Sequence, residues 1–320
     1  MMMKRLSSKR RYSVCKSIVA VAVALCLWIS GFITLNESAG WIPDLTWDNL
    51  YVWTGLREDM SLGDSEFRLT VMDVGNADCL LLQNGGHSAL IDAGENEDGN
   101  SIVSFLNRVG ITYLDYVIAT HPDADHIGGM DEVVNNIKIG TFMMAYMPEG
   151  FTPTTRVYED LLTSLIENDV TPVEPLFGDS YPFGDAFIDI LSGLSDHTET
   201  NEQSIVCRVR FGKTRFLLMG DAGKEVEEEL LENGVDLRAD VLKVGHHGSR
   251  SSSSEDFITA ISPSIALIPC GLGNRYNHPH AETLNTLRKV SCEIYRCDFH
   301  GDIMVVSDGE TITVTTEKQV

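Results

Sequence analysis

The sequence predicts an α+β sandwich, two stacked mixed β-sheets with helices on their outer faces, behind an N-terminal segment of different character. Three observations predict it. From residue 66 onward, short apolar runs of strand length alternate with segments of helical spacing. Gly/Asn turns separate the first runs, and chemically dense loops follow several later ones. A hydrophobic content of 43% over 320 residues supplies a large core.

Residues 67–74, 79–83 and 88–92 read as strands, residues 101–109 as a helix, and residues 116–120 as a strand running into a polar loop. Residues 129–136 and 157–168 read as helices. Strands return at 187–191, 204–211 and 215–219, with Gly212 and Lys213 as a tight hairpin connection. A charged helix (222–233), a strand (240–244), a helix (255–261), a strand (265–269) and a helix (281–290) follow. Residues 293–296, 303–307 and 311–315 close the domain as strands.

The first 65 residues are different. Residues 1–16 hold Lys4, Arg5, Lys9, Arg10, Arg11 and Lys16, and residues 17–35 carry no charge at all. That is an export signal or a membrane anchor. Its 19 residues exceed the roughly 7–15 of a signal-peptide core, and Ser38-Ala39-Gly40 is a weak cleavage site, which favours the anchor. With the basic cluster on the N-terminal side, the rest of the chain is expected to be extracytoplasmic. Cys26 follows Leu25 rather than a small residue and makes a poor lipid-attachment site. Residues 36–65 form a linker with three tryptophans (Trp41, Trp47, Trp53), either a spacer or an interfacial segment.

The formal net charge is −23, and residues 41–320 alone carry −28. Such a balance disfavours a broad nucleic-acid-gripping surface, so a polyanionic substrate has to be met locally by metal ions and a few basic side chains. Of the seven cysteines, Cys79 and Cys207 lie in apolar runs and read as buried thiols, and Cys292 and Cys297 could pair. The absence of a CxxC spacing disfavours a zinc ribbon.

The densest chemistry is Thr120-His121-Pro122-Asp123-Ala124-Asp125-His126, two imidazoles and two carboxylates within six residues after a strand. Alternating side chains let His121 and Asp123 converge on one point while the turn aims Asp125 and His126 at a neighbouring point, so two adjacent metals are expected. Asp221 emerges from an apolar strand after Gly220, where a carboxylate can bridge two cations or simply cap the next helix. His246 and His247 precede Gly248 and Ser249, and one of the two histidines suits a ligand on a tight turn. Asn201 and Ser204 offer neutral oxygens. Arg275 and His278 share a late loop, and Asp92 ends a strand where it could orient the metal loop.

In combination and order, these motifs resemble the metallo-β-lactamase superfamily, specifically the extracytoplasmic domain of ComEC-type competence proteins. The resemblance covers residues 67–316. Its DVGQGDA-like turn stands here as Asp73-Val74-Gly75-Asn76-Ala77-Asp78-Cys79, and its LIDGG-like element as Leu90-Ile91-Asp92-Ala93-Gly94. The HxDxDH loop, Asp221, His246-His247-Gly248-Ser249, His278-Pro279 and the closing Tyr295-Arg296-Cys297-Asp298 follow in order. The many membrane helices of a DNA channel are not in these residues, so the chain is not expected to be the pore.

The resemblance implies a metal-dependent hydrolase with two divalent cations, zinc or manganese, with magnesium also compatible. His121, Asp123 and Asp221 would hold one; Asp125, His126, Asp221 and His247 the other, with His246 as alternate to His247. Asp123 stands where zinc β-lactamases have a second histidine, which shifts preference toward harder cations and disfavours antibiotic hydrolysis. Asn201 and Ser204 fall where another histidine ligand would sit, with His197 a weaker candidate. Asp125 would be ligand or general base. His278, with Arg275 or Arg250, would steady the leaving oxygen or a phosphate oxygen, and Ser249 and Asp92 would support the site. The implied substrate is DNA, during uptake or scavenging. A small or cell-wall phosphodiester of teichoic-acid type is the second candidate, and a non-catalytic metal-binding scaffold at the membrane the third.

Overall fold

The computed structural model describes residues 65–319 except Tyr146, Pro148, Glu149 and Asp196, and before them Val23, residues 26–36, Ile42, Leu50 and Gly63. The chain divides into two units, residues 1–61 and 62–320. In the first, residues 26–36 are helical and Asn36 closes on Ile42: Asn36 Nδ2 donates to Ile42 O and Ile42 N to Asn36 Oδ1, both at 2.8 Å. The basic segment 1–16, much of 17–35 and most of the linker lie outside the described residues. Among the described residues no helix is long and apolar enough to cross a membrane.

The second unit is two seven-stranded sheets. Strands β1 (Phe67–Val71), β2 (Leu80–Asn84), β3 (His87–Ile91), β4 (Tyr113–Ala119) and β5 (Lys138–Met144) join β13 (Ile303–Ser307) and β14 (Ile312–Thr316) in the order β14-β13-β1-β2-β3-β4-β5. Strands β6 (Ser180–Phe183), β7 (Ala186–Ile190), β8 (Cys207–Phe211), β9 (Thr214–Leu218), β10 (Val241–Lys243), β11 (Ile265–Ile268) and β12 (Glu293–Arg296) form the other, in reverse order β12 to β6. Both sheets are mixed. β3, β4 and β5 run parallel, as do β9, β10, β11 and β12, and the remaining pairs are antiparallel.

Period-two alternation divides the side chains between two layers. Leu69, Leu80, Ile91, Ile118, Phe216, Leu218, Val241 and Leu267 fill the layer between the sheets. Leu217, Leu242, Ala266 and Ile268 point to the other face of the second sheet. There they pack with helices α5 (Lys224–Glu232), α6 (Glu255–Ile261) and α7 (Ala281–Lys289), through Val226, Leu230, Phe257, Ile261 and Leu287. The other helices are α1 (Gly99–Arg108), α2 (Ala124–Ile127), α3 (Met130–Asn136), α4 (Arg156–Glu167) and α8 (Cys297–His300).

The expected sandwich is present, with corrections at its margins. Strands β5 and β6, which the sequence reading leaves out, lie at the rims of their sheets, β5 meeting an isolated bridge from Val173 to Met143 on its outer side. β5 contains Gly140 and is half exposed, and β6 is four residues long with a central Pro182, so neither carries a strand pattern. The four-residue helices α2 and α8 are too short to show a period. Asp221 does not cap the following helix; the N-cap is Gly223. Cys292 and Cys297 are free thiols, because Cys297 faces the inter-sheet layer and Cys292 the helix-covered side.

Candidate metal centre

The centre is built from loops at the C-terminal ends of parallel strands in both sheets, where side chains leave the sheet and converge. The chain beyond β3 turns through Asp92, whose φ of 59° is left-handed. β4 delivers Thr120 and His121, and α2 then presents Asp125 and His126. β9 ends before Gly220, whose φ of 52° turns Asp221 inward; a Cβ there would sit 3.0 Å from Ser204 Cβ. After β10, His246 and His247 both adopt φ near +48°, a conformation bulky residues rarely hold. Gly248 follows at φ 80°, with no room for a Cβ against Pro279.

His121, His126 and His247 each have Nδ1 within hydrogen-bond distance of a protein atom. Asp92, fully buried, accepts from Thr120 N at 2.9 Å, Thr120 Oγ1 at 2.7 Å and His126 Nδ1 at 2.7 Å. That fixes the His126 ring and turns Nε2 toward Asp221, 3.3 Å from Oδ1. His247 Nδ1 donates to Pro269 O at 2.9 Å, leaving Nε2 3.5 Å from both Asp125 Oδ2 and Asp221 Oδ2. His121 Nδ1 lies 3.2 Å from Thr120 Oγ1 and 3.4 Å from Ser204 Oγ, and Ser204 Oγ accepts from Asp221 N at 3.0 Å.

The Nε2 atoms of His121, His126 and His247 and Oδ1 of Asp221 are all buried without a hydrogen-bond partner. Buried lone-pair atoms left without hydrogen-bond partners are what a divalent cation satisfies. Two overlapping groups could hold one: His121, His126 and Asp221, and Asp125, His126 and His247. One imidazole lone pair serves one cation, so His126 belongs to one group at a time, whereas the two oxygens of Asp221 face both.

The remaining residues sort by distance. Asp123 Oδ2 is 3.8 Å from His121 Nε2 with its side chain partly open, in reach of the His121 group but outside the tightest sets. His246 is more exposed than His247 and its Nε2 is 3.8 Å from Asp221 Oδ2; Asn201 Nδ2 and Ser251 Oγ hold its Nδ1 at 3.2 and 3.1 Å. Of the pair, His247 is the one with a buried, unpartnered Nε2. The Asn201 side chain therefore reaches the centre through His246, and its carbonyl accepts from Ser204 N at 3.1 Å. Ser249 O accepts from Thr283 Oγ1 at 3.0 Å and organises the loop rather than the centre. The buried His278 ring lies 5.4 Å from that of His246 and 6.3 Å from that of His247, with Nδ1 unpartnered. Arg275 is exposed on the same loop, its guanidinium 4.7 Å from the centre of the Tyr276 ring. His197 pairs with Glu229 of α5 at 3.4 Å instead of approaching the cluster.

Sequence reading passed over Thr120, Asp78 and Lys243. Thr120 binds Asp92 and neighbours both His121 and His126 through one hydroxyl. Lys243 is the lone charge in an otherwise apolar β10, a signal that was available; its ammonium contacts Asp78, both side chains 1% exposed. The group of Asp78, Asp92 and His126 also has metal-like spacing, but that ammonium already lies against it.

Burial opposes charge on His126, yet Asp221 and Asp92 outweigh it and hold its pKa well above the ordinary 6.5. Burial likewise opposes charge on His247, and Asp221 and Asp78 raise it. Burial, reinforced by His126, pushes His121 well below 6.5. Against burial, His247 and His126 hold Asp221 well below the usual carboxylate range, and Asp125, hydrogen-bonded to His247, sits at about 2. Protons on His126 and His247 therefore compete with divalent cations for the same Nε2 lone pairs. Cation affinity is expected to keep rising with pH beyond 6.5, with net proton release on binding. Calorimetric titration with manganese in buffers of different ionisation enthalpy measures this, and a pH-independent affinity with no proton release would contradict it.

Known proteins share the fold and family traits of this chain. A family model described as "Metallo-beta-lactamase superfamily" matches residues 72–271. The chain is 36% identical over 203 residues, 63% of its length, to a protein named ComE operon protein 3 from Bacillus subtilis. It is 29% identical over 240 residues, 74% of its length, to one named Competence protein ComA from Neisseria gonorrhoeae. The matches span only 26% and 32% of those relatives. Among solved structures, CmlA, a diiron β-hydroxylase from Streptomyces venezuelae, superposes with a TM-score of 0.51 over 80% of this chain and 59% of its own, at 15% identity, a likeness of fold alone. With two seven-stranded sheets, the strand-end histidine and aspartate loops and a family match over most of the second unit, the chain belongs to the metallo-beta-lactamase superfamily.

Proposed function

We propose that the centre hydrolyses phosphodiester bonds, with DNA as substrate, outside the cytoplasm. The observation that carries the reading is the set of orphaned buried atoms, His121, His126 and His247 Nε2 with Asp221 Oδ1, on residues that fall into two overlapping groups of metal-like spacing. The competence names of the relatives point to DNA; the uncharged segment 17–35 behind a basic cluster supports an anchored or exported chain.

His121, Asp123 and Asp221 would hold one cation and Asp125, His126, Asp221 and His247 the other; the mixed imidazole and carboxylate set suits zinc, manganese or magnesium. When bound, the cations supply a nucleophile from water near neutral pH and neutralise charge developing on phosphate. Asp125, kept ionised against burial by its hydrogen bond to His247 with a pKa of about 2, would be a ligand or, left uncoordinated, would take the proton of the attacking water. His278, held neutral by burial and by His246 with a pKa of about 4, has an unpartnered Nδ1 in a ring 5.4 Å from that of His246, and it would steady the leaving oxygen. Arg275 would meet a phosphate oxygen at the mouth.

The charge of −28 over residues 41–320 favours a second reading, a small or cell-wall phosphodiester that needs no basic groove. Hydrolysis of labelled single- and double-stranded DNA by the purified chain with manganese, zinc or magnesium separates the two. The proposal expects metal-dependent cleavage, lost in Asp125→Ala. Hydrolysis of bis(p-nitrophenyl) phosphate alone would move the assignment to small phosphodiesters, and no hydrolysis by folded, metal-loaded protein would leave a membrane-associated scaffold.

A further inference from the structure

The strand alternation that builds the core also places a charge inside it. In β10, Val241 faces the inter-sheet layer and Leu242 the helices, so Lys243 points inward, beneath the loop that carries His246 and His247. Its side chain is 1% exposed. The ammonium contacts Asp78, donates to Gly220 O at 2.6 Å and lies 3.7 Å from Asp221 Oδ1. Asp78 in turn faces two of the candidate ligands: its Oδ1 is 3.4 Å from His247 Nδ1 and its Oδ2 3.8 Å from His126 Nδ1.

A buried ammonium is costly, and a strut between two strands could be made from apolar residues. Here the charge sits against the one carboxylate whose oxygens face both candidate cation groups, and its partner sits behind the imidazoles of the other ligands. We propose that Lys243 is a built-in cation of the centre, a positioning residue that, balanced by Asp78, sets how strongly Asp221 attracts divalent cations. The inference rests on the two-cation reading above. Coulomb's law then fixes opposite signs for the two members of the pair: removing the ammonium strengthens the pull on a dication, and removing the Asp78 charge weakens it. A purely structural pair predicts the same sign for both, since either loss would loosen the ligands.

The test is calorimetric titration of manganese into the full, metal-stripped chain, with folding checked by circular dichroism. Asp78→Asn is expected to weaken binding about tenfold or more, and Lys243→Met to tighten it by a similar factor. The double variant should return to within about threefold of wild type, the coupling being read as a double-mutant cycle. If Lys243→Met alone does not fold, the double variant against Asp78→Asn decides, and it must bind more tightly. Equal weakening in every variant, or no change in any, would overturn the inference. Manganese binding by wild type is the internal control: its absence would overturn the two-cation reading, and this inference with it.

Discussion

If the centre hydrolyses phosphodiesters as proposed, Asp221→Ala is expected to lower that activity by roughly 10³-fold and to remove high-affinity binding of at least one divalent cation. The size of the effect follows from position. Asp221 Oδ1 is 3.3 Å from His126 Nε2 and Oδ2 is 3.5 Å from His247 Nε2, so one carboxylate faces both ligand groups. Its loss also removes the charge that His126, His247 and Lys243 all face, leaving buried cationic groups underpaired. Asp221→Asn keeps the shape and one acceptor oxygen but no charge, and should retain the fold while losing most of the activity. Steady-state rates and manganese titration of the two variants measure this; a variant within tenfold of wild type would mean that Asp221 does not bridge.

The second large effect is on stability. Asp92→Ala strips a fully buried acceptor from three donors on buried residues, Thr120 N, Thr120 Oγ1 and His126 Nδ1. At about 1–3 kcal/mol for each buried group left unpaired, partly offset by relaxation, the expected cost is about 3–5 kcal/mol. Metal affinity should fall about 10- to 100-fold in parallel, because the His126 ring loses the partner that orients it. Urea unfolding and metal titration of the same variant test both. A loss below about 1 kcal/mol would mean that Asp92 is not the anchor of the loop.

Much of the centre is legible in the sequence because its residues arrive in short, dense stretches at strand ends. The loop from His121 to His126 declares itself by composition, and Asp221 by its place after an apolar strand and a glycine. What composition does not show is which nitrogen of which histidine faces inward. His246 and His247 are neighbours with the same residue type, and only the left-handed backbone at both positions, with Pro269 O holding His247 Nδ1, turns His247 into the cluster and leaves His246 at its rim. Lys243 and Asp78 stand 165 positions apart, and a single lysine in a strand reads as an edge or surface residue until the sheet is assembled. His197, near in sequence to Asn201, is drawn to Glu229 by the helix packed beside it. Edge strands β5 and β6 escape for a related reason: partly exposed at the rims of their sheets, they show no apolar alternation.

Anomalous diffraction at the manganese edge from crystals of the full chain grown with manganese tests the central claim most directly. The account predicts two peaks with the Asp221 carboxylate between them, one beside His121 and the other beside Asp125 and His247. No peak at these residues, or peaks only at surface carboxylates, would contradict it.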